Sequence, residues 1–420
     1  MGTAVSLGRP LAGIRVLDLS RVLSGPICGR MLVDLGADVV KVEEPGADIL
    51  RMQAPVVAGV GTMFAHVNAG KRNVSIDLKA EGAASLLQRL AARADVLLEN
   101  FRPGVLARFG LDAPTLCARH PRLVYCSITG WGQSGPWSER AAYAPVIHAE
   151  AGLLDLSARL RGRPHHGEIQ QHGDVYAGLF ASNAILAALF QRERVGRGQH
   201  LDIAMGEALL YVNEHAAAEL AGHPGAFAFP TWQFETFALA NGRLVHLLGD
   251  PVLQFPELAD ALGIALSADD PLRSDPGLRR ERGESLLARV RAAFAQVEDF
   301  DALKRRLASL PTLEAEVRST RELANSAWAA EREVLAEVAP GLRVPAAPWR
   351  GSGSEIGLAR AAGAATGTAQ GAASGAARIA ARGEHNRAVL EDWLALPPDE
   401  VEALGARGVL GASPQTKGIR

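Results

Sequence analysis

Short runs of branched apolar residues alternate with amphipathic stretches along the N-terminal half of the chain. Residues 13–19 (GIRVLDL) form a run that predicts a buried strand. After Gly25-Pro26 the apolar positions fall on one face of a helix, which Gly36 ends, and residues 38–43 (DVVKVE) predict a second strand. A strand, a helix and a second strand in this order make a βαβ unit, in which the two strands are parallel.

The same alternation of strand-like and helix-like stretches continues to about residue 205. Further strands are predicted at 72–78, 95–100, 123–129 and 201–205, and further helices at 80–94 and 174–194. Strands that alternate with helices form an open parallel sheet, and such sheets bind ligands beyond the carboxyl ends of their strands. We therefore predict an α/β fold and expect the functional site at that edge of the sheet.

The texture of the sequence changes twice in the C-terminal half of the chain. Aromatic residues and charged helical patterns after residue 222 predict a second, smaller domain. Residues 351–381 are almost all Ala, Gly, Ser and Thr, a composition that predicts a flexible linker, and a helical pattern returns at 384–405. The expected parts are a large domain at 1–222, a small domain at 223–335, a connection at 336–382 and a packed C-terminal segment at 383–420.

The composition is that of an ordinary globular protein. Apolar residues make up 48% of the chain and charged residues 21%, which argues against a mostly disordered protein. Lys and Arg number 44 against 46 for Asp and Glu, so nothing predicts a basic surface for nucleic acid or for an anionic membrane. We expect small molecules and other subunits as partners.

The number of cysteines and the length of the apolar runs indicate the cellular compartment that we expect for the protein. Cys28, Cys117 and Cys126 are too few and too scattered for a disulfide framework or a zinc site, which favours a reducing compartment. Residues 1–10 lack the features of a signal peptide, and no run reaches the roughly 18 apolar residues that a bilayer-spanning helix needs. We therefore expect a cytoplasmic protein with no membrane association.

The N-terminal βαβ unit invites comparison with dinucleotide-binding proteins. Glu43 ends the second strand, where such proteins place an acid for the ribose. However, residues 20–26 read SRVLSGP and lack the glycines of the GxGxxG motif, so an NAD or FAD site is not expected. The start of the helix still offers backbone donors to an anionic or nucleotide ligand.

Two other clusters of polar residues fit no known type of site. His165, His166 and His172 have a spacing that matches no standard set of metal ligands, so we expect a solvated loop and no metal site. The residues before Ser134 do not form a GxSxG turn, so we expect no serine nucleophile.

Asp174 stands between Gly173 and a long apolar helix. Aspartate is a favoured N-cap, and the local pattern alone favours that role. A carboxylate at a helix start can also attack a bound substrate, and the two roles do not exclude each other.

Six segments of the chain together resemble the class III CoA-transferase family, which also contains the α-methylacyl-CoA racemases and formyl-CoA:oxalate CoA-transferase. They occur in the order and spacing of the family. The segments are LAGIRVLDLSRVLSGPICGRMLVDLGADVVKVEEPG (11–46), NAGKRNVSIDLK (68–79), ADVLLENFRPGVLARFGL (94–111), SITGWGQSGP (127–136), GDVYAGLFASNAILAALFQRERVGRGQHLDIAM (173–205) and GEHNRAVLEDWLALPPDEVEALGARGVL (383–410).

The resemblance implies a fold, an assembly and a reaction. The family has a Rossmann-like large domain built from both chain ends, a smaller α+β domain between them, and a homodimer of interlocked subunits. Its members move CoA from an acyl-CoA thioester to a carboxylic acid, with the CoA thioester as substrate and no tightly bound cofactor. The nucleophile of the family falls on Asp174, which would carry an aspartyl-CoA thioester.

The resemblance also implies a CoA site, with some departures. The family's CoA contacts fall on Arg21, Val22, Leu23, Ser24, Arg72, Asn100, Phe101 and Arg108. Glu44 stands where the formyl-CoA enzyme has an arginine, and Ala141, next to Arg140, stands where it has a lysine. Because Leu23 also replaces a glutamine of that enzyme, oxalate is not the expected acceptor.

Two alternatives to CoA transfer stay open. The catalytic histidine of the racemases falls on Tyr143, which is a poor base at neutral pH because the pKa of a tyrosine is about 10. His148 lies five residues further on and is expected to make a polar contact instead. The other alternative is a CoA-ester binding protein without activity, against which the presence of Asp174 speaks.

Overall fold

The computed structural model describes residues 8–161, 164–222, 235–310, 313–358 and 378–411. The chain forms two compact units. The first contains 1–154, 167–214 and 329–420, and the second contains 155–166 and 215–328. Composition places a boundary after residue 222, whereas the contacts assign 215–222 to the second unit.

The strands and helices of the described residues have the following bounds. The strands are β1 (Arg15–Asp18), β2 (Asp38–Glu43), β3 (Val56–Val57), β4 (Val60–Gly61), β5 (Arg72–Ser75), β6 (Val96–Glu99), β7 (Val124–Thr129), β8 (His200–Ala204), β9 (Thr236–Ala238), β10 (Leu244–Leu248), β11 (Leu313–Glu316), β12 (Leu335–Ala339) and β13 (Leu342–Pro345). The helices are α1 (Ser24–Asp34), α2 (Thr62–Asn68), α3 (Ala83–Ala91), α4 (Ala113–Arg119), α5 (Ala144–Glu150), α6 (Leu153–Arg161), α7 (His172–Val195), α8 (Met205–Tyr211), α9 (Ala216–Leu220), α10 (Phe255–Leu262), α11 (Pro276–Glu281), α12 (Gly283–Phe294), α13 (Phe300–Leu307), α14 (Thr320–Ala324), α15 (Ala327–Glu331), α16 (Asn386–Leu394) and α17 (Pro398–Ala406).

A six-stranded sheet with the order β5-β2-β1-β6-β7-β8 forms the centre of the first unit. Every neighbouring pair in it is parallel. The inner strands are almost wholly buried and apolar, the pattern expected of strands that are covered on both faces. The predicted α/β fold with an open parallel sheet is therefore confirmed.

Helices cover both faces of this sheet. On one face, α3, α16 and α17 pack Leu87, Trp393 and Leu404 against the strands. On the other face, α1, α5, α7 and α8 contribute a second apolar cluster that includes Leu32 and Ile185. The sheet is thus rigidly held, and its loops are carried by a fixed frame.

The C-terminal segment packs against β5, an edge strand of the sheet. The amide N–H of His385 donates to the carbonyl oxygen of Asn73 at 2.9 Å, and the amide N–H of Ser75 donates to the Asn386 side chain at 2.8 Å. Both ends of the chain therefore build the first unit. Most of the stretch 351–381, predicted as a flexible linker, lies outside the described residues, and the hairpin of β12 and β13 lies largely within the start of the predicted connection 336–382.

Helix α7 is 24 residues long and packs closely against α1. A Cβ added at Gly178 would lie 2.6 Å from the carbonyl oxygen of Ser24 and 2.2 Å from a methyl group of Ile27, so only glycine permits this approach. By length and hydropathy α7 could cross a membrane, but half of that stretch is buried inside the protein, as in a core helix.

The second unit has a core of its own. Its antiparallel sheet has the order β11-β10-β9, and α10, α12 and α13 pack against it. Phe237 and Phe294 stack in the centre with their ring centroids 4.5 Å apart, and Phe255 is fully buried beside them.

Candidate active site

A cleft of about 410 Å³ opens beyond the carboxyl ends of β1, β6 and β7. The loops that follow these three strands line it, together with the start of α7. This is the edge where an open parallel sheet is expected to bind its ligand.

Asp174 lies in the wall of this cleft and is only 9% exposed. The sequence pattern predicts it as the N-cap of α7, but that prediction is wrong, because the helix begins at His172 and its N-cap is Gln171. Asp174 lies instead in the first turn, and its carboxylate is free to interact with groups from other helices. The amide N–H of Gly173 donates to Nε2 of His148 at 3.1 Å, which satisfies one of the first-turn donors without a side-chain cap.

Burial raises the pKa of Asp174 to about 6. Hydrogen bonds from the Ser24 hydroxyl and from the amide groups of Ser24 and Ala144 act in the opposite direction. Ser24 is the first residue of α1 and Ala144 the first of α5, so the starts of α1, α5 and α7 meet at this carboxylate. Amide groups at helix starts favour a negative charge. Asp174 is therefore a desolvated carboxylate that is mostly ionised at neutral pH.

Asn100 holds the loop between β1 and α1. Its Oδ1 accepts from the amide N–H of Arg21 at 2.9 Å, and its Nδ2 donates to the carbonyl oxygen of Arg21 at 2.8 Å. Nδ2 also donates to Oγ of Ser24 at 3.1 Å. In the same loop Val22 has a left-handed backbone (φ 65°), and its amide N–H donates to Asp48 at 3.1 Å. The loop conformation is therefore fixed by side chains from outside it.

A buried ionic network lies beneath this loop. Nζ of Lys71 lies 2.8 Å from Oδ2 of Asp18, and Nζ of Lys41 donates to the carbonyl oxygen of Ser20 at 2.8 Å. Burial lowers the pKa of Lys71 to about 8. Burial acts to raise the pKa of Asp18, but the charges of Lys71 and Lys41 outweigh it, so that pKa is lowered. The loop between β1 and α1 therefore packs against buried charged groups that are paired with one another.

Three arginines line the cleft. The guanidinium carbon of Arg21 lies 5.6 Å from the centroid of the Phe101 ring. Arg102, the residue after Phe101, also lines the cleft. Arg140 lies 4.7 Å from the ring centroid of Trp137 and forms an ion pair with Glu150. Arginine side chains suit the phosphate or carboxylate oxygens of an anionic ligand.

A smaller apolar pocket shares Arg21, Glu44 and Phe101 with the cleft. Apolar side chains from the sheet and α3 line it, among them Leu19, Ile76 and Leu87. Glu43 is the residue at which a dinucleotide-binding protein would place its acid for the ribose. Here its carboxylate accepts from Nε of Arg51 at 2.7 Å and from Nδ2 of Asn73 at 2.7 Å. It is therefore not offered to a ligand.

Most of the residues predicted for the CoA site come together. Arg21, Val22, Ser24, Asn100 and Phe101 all line the cleft with Asp174. Leu23 is buried behind the loop at 7% exposure and does not line the cleft.

Arg72 and Arg108 do not line the cleft. Arg72 begins β5, at the opposite edge of the sheet, where its Nε donates to Asp38 at 2.9 Å and its Nη2 to Asp392 at 3.0 Å. Both partners hold its guanidinium away from the cleft, so its role as a CoA ligand stays a prediction that the geometry of the cleft does not support. Arg108 is exposed on the 3₁₀ turn Leu106–Phe109, and only Leu106 of that turn reaches the apolar pocket.

Arg102 lines the cleft but is not among the residues predicted from the sequence. Arg102 lies three residues beyond the end of β6, and that position at the carboxyl edge is the signal that could have found it. His148 is fully buried, and burial lowers its pKa. Its bond to Gly173 confirms the predicted polar contact. His172 stacks on Tyr176, and among the described residues no cluster of three or more His, Cys, Asp or Glu is placed to hold a metal ion.

The sequence is similar to known CoA-transferases. The sequence profile of CoA-transferase family III matches residues 11–367. A succinate–glutarate CoA-transferase of Agrobacterium fabrum is 37% identical over 275 residues, which cover 62% of this chain and 68% of that protein. A formyl-CoA:oxalate CoA-transferase of Streptomyces avermitilis is 30% identical over 431 residues, which cover 96% and 100%.

Solved structures agree with these matches. A CAIB/BAIF family protein from Brucella suis superimposes with a TM-score of 0.77 at 30% identity, covering 92% of this chain and 99% of that one. An aspartate-to-alanine variant of Rv3272 from Mycobacterium tuberculosis gives a TM-score of 0.70 at 28% identity, covering 93% and 100%. The profile match spans most of the chain, and this protein belongs to CoA-transferase family III.

Proposed function

We propose that this enzyme moves CoA from an acyl-CoA thioester to a carboxylic acid, with Asp174 as the nucleophile. The observation that carries the proposal is the buried carboxylate of Asp174, which opens onto the cleft and is surrounded by hydrogen-bond donors. The names of the relatives, which include succinyl-CoA:glutarate and acetyl-CoA:oxalate CoA-transferases, support the same reaction class.

The reaction begins with the attack of one Asp174 oxygen on the thioester carbonyl carbon. A C–O bond forms and the C–S bond breaks, giving a mixed anhydride and CoA thiolate. The thiolate then attacks the Asp174 carbonyl carbon, so that a C–S bond forms and the donor acid leaves. The acceptor carboxylate repeats both steps in reverse, which divides one difficult exchange into easier ones.

The cleft has the groups that CoA requires. The pyrophosphate and 3′-phosphate of CoA are anionic, and Arg21 and Arg102 line the cleft on the loops after β1 and β6. The ring of Phe101 and the adjoining apolar pocket offer surfaces for the less polar parts of the molecule. Glu44 lies at the rim shared by both spaces and disfavours a phosphate there.

The geometry favours transfer over racemisation. A racemase needs a base that removes the proton next to the thioester. Tyr143 lines the cleft but is 59% exposed, and a tyrosine is a poor base at neutral pH. His148 is fully buried, and its Nε2 already accepts the amide N–H of Gly173. A protein that only binds CoA esters would have no need for the buried charge of Asp174.

We also propose that the enzyme is an interlocked homodimer. Large apolar side chains on α7 and α8 are exposed in the single chain, including Phe190 at 62% and Tyr211 at 81%. Surfaces of this kind are typical of subunit interfaces. Sedimentation at nanomolar concentration is expected to show a dimer, and an active monomer would contradict this.

The cytoplasmic location expected from the sequence stays a prediction.

A transfer assay with matched variants tests the function. Purified enzyme is mixed with a panel of acyl-CoAs and dicarboxylic acids, and new CoA thioesters are separated by chromatography. Asp174→Asn is expected to lose transfer by several orders of magnitude, since a neutral amide cannot form the anhydride. Asp112→Asn is the control, because Asp112 is the N-cap of α4 outside the cleft and asparagine caps equally well. Near-normal transfer by Asp174→Asn would overturn the proposal.

A further inference from the structure

The side-chain amide of Asn100 has only one orientation that satisfies its neighbours. The amide N–H of Arg21 can only donate, so it must meet Oδ1 of Asn100, as it does at 2.9 Å. The nitrogen Nδ2 then faces the carbonyl oxygen of Arg21 at 2.8 Å and Oγ of Ser24 at 3.1 Å. The backbone of Arg21 therefore fixes which atom of Asn100 meets Ser24.

This orientation determines the direction of the Ser24 hydroxyl. A hydroxyl group has one proton, and Nδ2 of Asn100 is a donor, so Oγ of Ser24 accepts that bond. The proton of Ser24 therefore points away from Asn100 and is available to the carboxylate of Asp174, whose pKa the hydroxyl helps to lower against the effect of burial. The chain of donors runs from Asn100 through Ser24 to Asp174.

Close packing keeps Ser24 next to Asp174. Ser24 is 3% exposed at the start of α1. Gly178 lies one turn after Asp174 on α7, and the backbone of Ser24 packs directly against it. A Cβ atom on residue 178 would lie 2.6 Å from the carbonyl oxygen of Ser24. The start of α1 is therefore held against the first turns of α7.

We propose that Ser24 is a catalytic hydrogen-bond donor to the reacting carboxyl group of Asp174, and that Asn100 is the positioning residue that directs it. The proposal rests on the proposed function. In the resting enzyme the hydroxyl holds one carboxylate oxygen and leaves the other to attack the thioester. When CoA thiolate attacks the Asp174 carbonyl carbon, negative charge develops on the oxygen that Ser24 holds, and a fixed donor stabilises it.

The role differs from the one that the family resemblance implies for these residues. There, Ser24 and Asn100 are CoA contacts. In the structure, both polar atoms of the Asn100 side chain bond to the loop between β1 and α1, and the Ser24 hydroxyl accepts from Asn100 and lowers the pKa of Asp174.

The test compares Ser24→Ala with Ser182→Ala. Ser182 is another buried serine, on α7 and outside the cleft, so its variant controls for the loss of a hydroxyl group. Asn100→Asp is the second variant, because an aspartate oxygen would compete for the Ser24 proton and place a negative charge near Asp174. Charged and titratable groups around Asp174 stay unchanged in the serine variants: Arg21, Glu44, Arg102, Arg140 and Tyr143 line the cleft, and His148 and His172 flank the start of α7.

Two measurements are made on each full-length variant. The first is the rate of covalent CoA adduct formation as a function of pH, by rapid quench and intact-protein mass spectrometry. The second is the pKa of the Asp174 carboxyl, from the carbon signal of ¹³C-labelled aspartate, assigned by its absence in Asp174→Asn. The second measurement does not depend on turnover.

Ser24→Ala is expected to slow adduct formation about ten- to hundredfold, the usual effect of losing a hydrogen bond to a charged group. The pKa of Asp174 is expected to rise in Ser24→Ala and Asn100→Asp and to stay unchanged in Ser182→Ala. An unchanged pKa and rate in Ser24→Ala would overturn the inference. A second outcome separates this inference from the proposed function. If the pKa of Asp174 rises in Ser24→Ala but the unsubstituted enzyme forms no covalent CoA adduct, the proposed reaction is overturned and the hydrogen bond from Ser24 to Asp174 is supported.

Discussion

The amide N–H of Gly173 donates to Nε2 of His148 at 3.1 Å, one residue before the aspartate that lines the cleft. Because this nitrogen accepts, the imidazole is neutral with its proton on Nδ1. His148 is fully buried, so it fixes the first turn of α7 from within the core.

The bond between His148 and Gly173 predicts a dependence of stability on pH. Burial lowers the pKa of His148 in the folded protein, whereas the unfolded chain has an ordinary value of about 6.5. The unfolded state then binds more protons, so stability is complete above that value and falls as the pH drops below it. His148→Gln, which keeps an acceptor, is expected to show a shallower loss in thermal melts from pH 7 to 5. Equal slopes for the two proteins would contradict this role.

Replacing Asp174 should stabilise the folded protein. Its pKa is raised to about 6 by burial, so stability is highest while the group is protonated and is lost as the pH rises through that value. Asp174→Asn is therefore expected to gain about 1–3 kcal/mol at pH 7 in urea unfolding while losing transfer. No cap is lost, since the N-cap is Gln171. A variant less stable than the original at pH 7 and equally stable at pH 4 would contradict the account.

Arg72 and Arg21 should respond differently to substitution. Arg21→Ala is expected to weaken binding of a CoA ester by about 1–3 kcal/mol in calorimetry, since a charged hydrogen bond is lost. Arg72→Ala is expected to leave this affinity unchanged, because its guanidinium pairs with Asp38 and Asp392 at the far edge of the sheet. Reversed results would support the CoA role that the family resemblance implies for Arg72.

Gly178→Ala should separate the starts of α1 and α7. The added methyl group would overlap Ile27 and the Ser24 backbone, so a loss of about 1–3 kcal/mol is expected together with slower adduct formation. Gly405→Ala is the control, because that glycine lies in α17 with open space around it, and alanine there is expected to be neutral or stabilising. Equal effects of the two substitutions would show that the close approach at Ser24 is unimportant.

The sequence predicts the parallel sheet well and some of its site residues poorly, for a physical reason. Buried parallel strands such as β6 and β7 are covered on both faces and consist mainly of apolar residues, so local pattern alone reveals them. The start of α7 depends on His148, and the position of Arg72 depends on Asp392, which is distant in sequence. Local pattern contains no information about such long-range partners.

The family resemblance implies site roles for Arg21, Asn100 and Asp174. In the structure these residues lie after the ends of strands or at the start of a helix, where an α/β fold places its ligands. The direction of the Ser24 hydroxyl could not be predicted, because it depends on an amide orientation that the Arg21 backbone fixes in three dimensions.

The central claim is that Asp174 becomes covalently acylated, and oxygen transfer tests it most directly. The acceptor acid is supplied with both carboxyl oxygens as ¹⁸O, and the released donor acid is analysed by mass spectrometry over many turnovers. In the proposed reaction each acceptor leaves one oxygen on Asp174, and the next donor acid leaves with an oxygen from Asp174. The account predicts one ¹⁸O in the donor acid and ¹⁸O in the peptide that contains Asp174. Transfer that proceeds at full rate with no ¹⁸O in either would contradict it.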